Sequence, residues 1–277
     1  MDYPIQIDEK GRYVHTWVRQ SSIKTSDMCM NRLRESLFNL AVEPKNDGAE
    51  LGTACHQAVE DVIQSRIEQE AEMTEYDMYD AFDYYWDEMS QEVDNWYSYG
   101  DEKKAWDNGR KKLYSWYHNV LPMIKKPVGV EVNFNKLLME DEQRVVYLRG
   151  TVDLVEEDML WDWKFPKADY TKDRWQYDRW DVQSIAYTWA MGVPNFSYGV
   201  MHNSGWGTMQ FVRDQSEHDW LKQKVATICE YIENNLHLEG KWLLNDNGWW
   251  CSEKWCPSWT RCKGQTPLIV ESEEQHG

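Results

Sequence analysis

The segment GTVDLVEEDMLWDWKF, residues 150–165, holds the side chains best suited to chemistry. Asp162 and Lys164 stand two apart in a strand-like pattern, so both point to one face while Trp163 points to the other. The acidic turn Glu156–Asp158 joins strands predicted over 145–155 and 159–165, and this pairing brings Asp153 alongside Asp162. Two carboxylates on one face repel each other unless a hard cation lies between them, and oxygen ligands of this kind suit Mg²⁺ or Mn²⁺. Lys164 would orient or deprotonate a water and offset phosphate charge. Gly150 leaves room for backbone or substrate to approach Asp153. A bare D-x-K is common, however, and its ordinary meaning is an exposed acid–lysine pair.

Three further features add to this segment. QSIAY sets Gln183 and Tyr187 four apart, on one face of the helix that follows the D-x-K strand. GTACH ends in His56 at the start of a helix, where an imidazole would complete a metal shell. Glu131 lies in the strand before Asp153. Each has a plain structural explanation: Tyr187 as core, His56 as a cap or surface residue, Glu131 as a solvated strand residue.

Taken in order, the set resembles the RecB-type branch of the PD-(D/E)xK nucleases. That branch carries G-T-x-x-H, an acid on the next strand, G-x-x-D, (D/E)-x-K and Q-x-x-x-Y. Here they stand as Gly52–His56, Glu131, Gly150–Asp153, Asp162–Lys164 and Gln183–Tyr187. SSIKTSDMCMNRLRESLF is similar to that family's opening helix, and the resemblance runs from about residue 21 to residue 264. It implies metal-dependent hydrolysis of DNA phosphodiesters. His56, Asp153, Asp162 and the Trp163 carbonyl would hold Mg²⁺ or Mn²⁺, and Lys164 would position the attacking water. Gln183 and Tyr187 would organise substrate, and Glu131 would back the metal's ligands or help a second metal.

WCSEKWCPSWTRCKG crowds Cys251, Cys256 and Cys262 into a C-x4-C-x5-C pattern, half of the six cysteines in the chain. A four-ligand site needs one more thiolate. Cys55 and Cys229 stand among apolar neighbours and read as buried free thiols. Cys29 remains, at the place where one subset of the resembled family has its first cluster ligand. That subset, similar to AddB and the CRISPR-adaptation exonucleases, clasps a [4Fe–4S] cluster between one N-terminal and three C-terminal cysteines. Its usual trio is C-x2-C-x5-C, so the wider first gap here keeps Zn²⁺ open as the alternative. Either would act as a staple, and closing the chain between residues 29 and 251 would restrict the unfolded state by about 4–5 kcal/mol.

Positioning these residues demands a mixed architecture. DMCMNRLRESLFNL predicts a helix capped near Ser26 or Asp27, LGTACHQAVEDVIQSRI a second, and YDMYDAFDYYWDEM and KKAWDNGRKKLYSWYHNVL two more. From Pro127 the period changes, and VGVEVNFN, RVVYLRGTVDLVEED and MLWDWKFP predict three consecutive antiparallel strands. A helix over 181–192 ended by Gly192, strands from FSYGVMHN and GTMQFVRD, and a long helix over 217–240 complete the core. The expected class is α/β, a restriction-endonuclease-like mixed sheet flanked by helices, with an N-terminal helical lobe. The expected division is 1–126 for the helical region with the first cysteine and the His motif, 127–240 for the nuclease core, and 241–277 for the cysteine clasp and polar tail.

Charge bears on partners. The net charge of −18 weighs against nucleic acid, but sixteen acids against three bases between Glu60 and Asp107 account for most of it. Solvated helix faces explain that segment, with exclusion of duplex DNA or docking of a basic partner as alternatives. Most of the 17 tryptophans are expected to be packing residues, a few being available as stacking platforms for unpaired bases. No run is long and apolar enough for a membrane helix, and MDYPIQIDEKGRYVH lacks the pattern of a signal peptide, so an intracellular, soluble protein with reduced thiols is expected. The reading is a DNA exonuclease for free ends or single strands, beside a helicase or recombination partner. Its rival is a non-catalytic adaptor that keeps the fold, and a zinc-stapled RNA-processing nuclease ranks third.

Overall fold

The computed structural model describes residues 4–41, 44–68, 72–169, 171, 181–238, 242–245 and 247–263. The expected helix end at Gly240, the boundary at 240/241 and the polar tail lie outside them.

One seven-stranded mixed sheet runs in the order β1-β2-β4-β5-β6-β7, with β3 pairing β4 off this path. β3 (Pro127–Glu140) and β4 (Arg144–Glu156) form a long antiparallel ladder, as the alternating, β-branched sequence predicts. The other edge of β4 is shared. β2 (Tyr13–Val18) pairs in parallel up to Leu148, and β5 (Leu160–Lys164) pairs antiparallel at Leu154 and Val155. Between those pairings no strand among the described residues pairs with β4 on that side, and Asp153 stands at the fork. β5 continues in parallel into β6 (Asn195–His202), which turns back into β7 (Gly205–Val212).

Helices cover both faces. On one side α1 (Gln20–Met28), α6 (Val182–Met191) and α7 (Gln215–Asn235) share a core with Val146, Leu148, Val152 and Leu160. On the other, α3 (Asp47–Ile67), α4 (Glu75–Ser90) and α5 (Glu102–Ser115) pack with Leu154, Trp161 and Trp163. Trp163 is fully buried, beside Trp161 and edge-on to Trp116, and removing such a ring costs about 3–5 kcal/mol. α6 is apolar almost all round because it is buried on nearly every side, and it ends as expected at Gly192 in the left-handed region, φ 71°.

Four expectations need correction. The first residues are not only helical: β1 (Ile5–Ile7) pairs with β2, and β2 joins β4, so this part of 1–126 belongs to the core sheet. β1 is short, and the partner that seats β2 in the sheet is far away in sequence, so alternation alone did not reveal them. The first helix begins at Gln20 and breaks at Cys29, whose backbone is extended (φ −170°), before α2 (Met30–Leu37) resumes. α3 starts at Asp47, because the Asn46 side chain accepts a hydrogen bond from the Ala49 amide at 3.0 Å. His56 therefore lies in its third turn. The three middle strands are antiparallel as expected, but α7 stops at Asn235.

Candidate active site

The expected residues come from five elements, α3, β3, β4, β5 and α6, and meet at the β4 fork. α3 supplies His56, whose Nδ1 lies 3.3 Å from Asp153 Oδ2 and whose ring stands edge-on to Phe165. β3 supplies Glu131, which falls between the pairs Val130↔Leu154 and Val132↔Val152, across from Asp153. One ligand atom from each of His56, Glu131 and Asp153 lies within 4.8 Å of the others, the one such group among the described residues. β5 supplies Asp162 and Lys164, paired at 2.5 Å on the same face, as the two-residue spacing predicts. It also ties the fork together, since the Trp163 amide donates to Asp153 Oδ2 at 2.7 Å. Asp162 Oδ2 is buried and faces the Lys164 ammonium.

Electrostatically the site is short of positive charge. Burial first, then the neighbouring Asp162, hold the Asp153 carboxyl well above the usual carboxylate range. Burial and Asp153 push Glu131 up to about 7. Burial draws His56 down, so its imidazole is neutral and can act as a ligand, while the adjoining Asp162 opposes that shift. Burial draws Lys164 down too, but Asp162 and Asp153 outweigh it and hold the ammonium charged. Carboxylates and an imidazole that repel one another unless protonated form a donor set fitting a hard divalent cation.

Gln183 and Tyr187 do not face an open surface, being 3% and 5% exposed. The Gln183 amide donates to Asp162 Oδ1, and more weakly to the Tyr187 hydroxyl at 3.4 Å. Gly150 clears space for neither backbone nor substrate. A Cβ there would stand 2.8 Å from the Phe134 ring and 3.4 Å from Tyr187, so the missing side chain lets those rings close over β4.

Sequence reasoning missed two participants. Glu60, one turn beyond His56 on α3, adds to the negative field at Glu131 and Asp153, and its i, i+4 spacing from His56 was the available signal. Lys112, wholly buried on α5, donates to the Phe165 carbonyl at 2.9 Å and to the Tyr99 hydroxyl, bracing the residue after Lys164. A lysine amid KKAWDNGRKKL gives no sequence sign of such burial.

Away from this site, Cys29, Cys251, Cys256 and Cys262 line a single cavity. The C-terminal segment is tied across α1 and α2: Asn31 N donates to Leu243 O, Trp250 Nε1 to Met28 O and Arg261 to Leu40 O. The extended break at Cys29 aims its thiol into that cavity instead of along a continuous helix. All six cysteines are free thiols, and Cys55 and Cys229 are buried elsewhere, with burial pushing the Cys55 thiol up to about 12.

Among solved structures, one from Eubacterium rectale, described as a "Putative exonuclease", superposes with a TM-score of 0.52 at 12% identity, covering 85% of this chain and 87% of its own. A second, of SSO0001, gives a TM-score of 0.39 at 12% identity over 75% of this chain and 96% of its own. No protein of curated function matches the sequence. A family model described as the PD-(D/E)XK nuclease superfamily matches residues 20–263, and the sheet with its flanking helices has the restriction-endonuclease-like form. The chain belongs to the PD-(D/E)XK nuclease superfamily.

Proposed function

We propose that this protein is a divalent-metal-dependent deoxyribonuclease that removes nucleotides from DNA ends or single strands. In this reading it is a RecB-type exonuclease with a four-cysteine [4Fe–4S] clasp. The observation that carries it is the meeting of His56, Glu131 and Asp153 within 4.8 Å beside the Asp162–Lys164 pair. His56, Asp153, Asp162 and the Trp163 carbonyl would hold Mg²⁺ or Mn²⁺, with Glu131 at the same ion or a second one. Bound there, the cation supplies positive charge to the phosphoryl oxygens. Lys164 orients the attacking water and holds a positive charge toward the phosphate, while Gln183 fixes the Asp162 carboxylate. Tyr187 packs behind Gln183.

The four cysteines line one cavity, and this supports a shared [4Fe–4S] cluster, with Zn²⁺ as the alternative. The clasp, residues 241–277, would hold the helical region 1–126 against the core 127–240, with the β1–β2 hairpin counted in the core. An intracellular setting and a helicase or recombination partner complete the proposal. The test is hydrolysis of end-labelled DNA by anaerobically purified protein with Mg²⁺ or Mn²⁺. EDTA and Asp162→Ala should each stop it, the variant retaining the wild-type melting temperature. Wild-type hydrolysis by Asp162→Ala overturns the assignment.

A further inference from the structure

The exposed aromatic residues beside the clasp serve no packing role in the core. Trp249, Tyr97 and Trp255 are 69%, 64% and 47% exposed, and Tyr97 is far from the other two in sequence. Tyr97 and Trp255 line a common cleft of about 170 Å³ together with Arg32, Asn46, Lys254 and Pro257. Trp249 braces Trp255 edge-on at 5.8 Å. The Lys254 ammonium lies over both cleft rings, 5.0 Å from the Tyr97 centroid and 4.7 Å from that of Trp255. It has no carboxylate partner among the described residues. The lining holds one acid, Glu253, against Arg32 and Lys254, in a chain whose net charge is −18. A phosphate strand meets less repulsion here than over the acidic segment.

The cleft and the candidate active site lie along the same helix, α3. Asn46, which caps α3, lines the cleft, and the first turns of the same helix, at Gly48, Ala49, Gly52 and Thr53, line an open groove that ends at His56 and Lys164. The loop carrying Tyr97 is fastened to that helix start. Ser98 and Tyr99 amides donate to Asp47, and Lys167 donates to the Ser98 carbonyl at 2.7 Å. His56 lies ten positions after Asn46, about 15 Å along the axis, the reach of a few nucleotides.

We propose that this cleft seats an unpaired nucleotide of the DNA strand being cut, its base stacked on Tyr97 and Trp255 and its phosphate met by Lys254. The proposal rests on the nuclease reading above for the identity of the strand. A stacked base displaces the ammonium from the rings, and the freed lysine moves onto the phosphate. Stacking reads no sequence, because every base has a π face, so the subsite is sequence-tolerant.

The test is a binding cycle on the full-length holoprotein with Ca²⁺ and fluorescent strands of about 12 nucleotides, either oligothymidylate or its abasic counterpart. Wild-type protein should bind oligothymidylate about tenfold more tightly than the abasic strand. Tyr97→Ala and Trp255→Ala should each erase most of that ratio, and Trp255→Phe should keep it. Lys254→Ala should make the dependence of log affinity on log salt shallower by about 0.7. Tyr97 lies outside the cysteine segment, so its variant reports on stacking even if Trp255→Ala disturbs the clasp. A wild-type ratio near one, or an undiminished ratio in both alanine variants, overturns the subsite. Protein that cuts DNA yet shows no base dependence overturns the subsite and leaves the nuclease reading. Protein that shows the base dependence yet never cuts DNA overturns the nuclease reading and supports the subsite.

Discussion

Glu131 stands across the β3–β4 ladder from Asp153 with its backbone in the left-handed region, φ 47°, inside an otherwise extended strand. Such a conformation in a residue with a side chain costs about 1–3 kcal/mol. The side chains around the pair show what it does. Phe134 and Val152 pack with α1, α6 and α7, whereas Val130 and Leu154 pack with α3–α5. Even-numbered residues on both strands thus change faces at this pair. The switch brings two carboxyl groups to the α3 side, where His56 waits, and Asp153 adds to burial in raising Glu131.

Metal-free protein should pay for that closeness as pH rises. The folded-state pKa of Glu131, about 7, lies above its ordinary 4.5, so folded protein binds more protons than unfolded protein between those values. Stability contributed by this group is therefore lost as pH rises from about 4.5 to about 7. Glu131→Gln should remove this slope, and denaturant melts of both proteins in EDTA across that range measure the difference.

Cation binding should release those protons. Below about pH 7 the affinity for Mn²⁺ should fall as Glu131 and Asp153 hold protons that compete with the ion. Calorimetry in buffers of different ionisation enthalpy should find protons released at pH 6 and fewer at pH 8. Equal release at both, or none, contradicts the ligand set.

Gln183→Leu should lower metal affinity or turnover by about 10–100-fold, because its amide orients the Asp162 carboxylate. Tyr187→Phe removes only a weak acceptor at 3.4 Å and should change metal affinity little. Mn²⁺ titrations of the two variants separate orientation of a ligand from contact with substrate.

Lys112 offers a second pH signature. Burial draws its ammonium down from 10.5 to about 8, so between those values the unfolded chain binds more protons and stability rises with pH. Lys112→Met should abolish that rise. It should also slow hydrolysis by releasing the Phe165 carbonyl beside Lys164, with metal affinity unchanged. Unchanged turnover would show the brace to be purely structural.

On the proposed iron–sulfur clasp, replacing Cys29, Cys251, Cys256 or Cys262 with serine should each remove iron and visible absorption and lower the melting temperature, the loop closure being worth about 5 kcal/mol at most. Cys55→Ser and Cys229→Ser should keep both, as their thiols are buried away from the cavity. Full iron content in Cys29→Ser would show that the fourth ligand lies elsewhere.

Much of this protein could be read from local pattern. Alternation over β3–β5 placed Asp162 and Lys164 on one face, and four-residue spacing placed Gln183 and Tyr187 on one face of α6, because strand and helix periods depend only on neighbouring residues. The crowded C-terminal trio stood out in the sequence, while Cys29 was joined to it by elimination and family resemblance; the four line one cavity. Other features depend on groups far apart in sequence. β2 is a strand because β4 offers it an edge more than a hundred residues later, and β1 then pairs on the free side of β2. Gln183 turns inward because Asp162 lies beneath it, and Lys112 is buried because the Phe165 carbonyl and Tyr99 hydroxyl meet it there. The left-handed Glu131 follows from the change of face at the fork, which β3 and β4 make together. Residue type and period set which side chains share a face; only the packed sheet set which faces meet, and with them the burial that gives each charge its pKa.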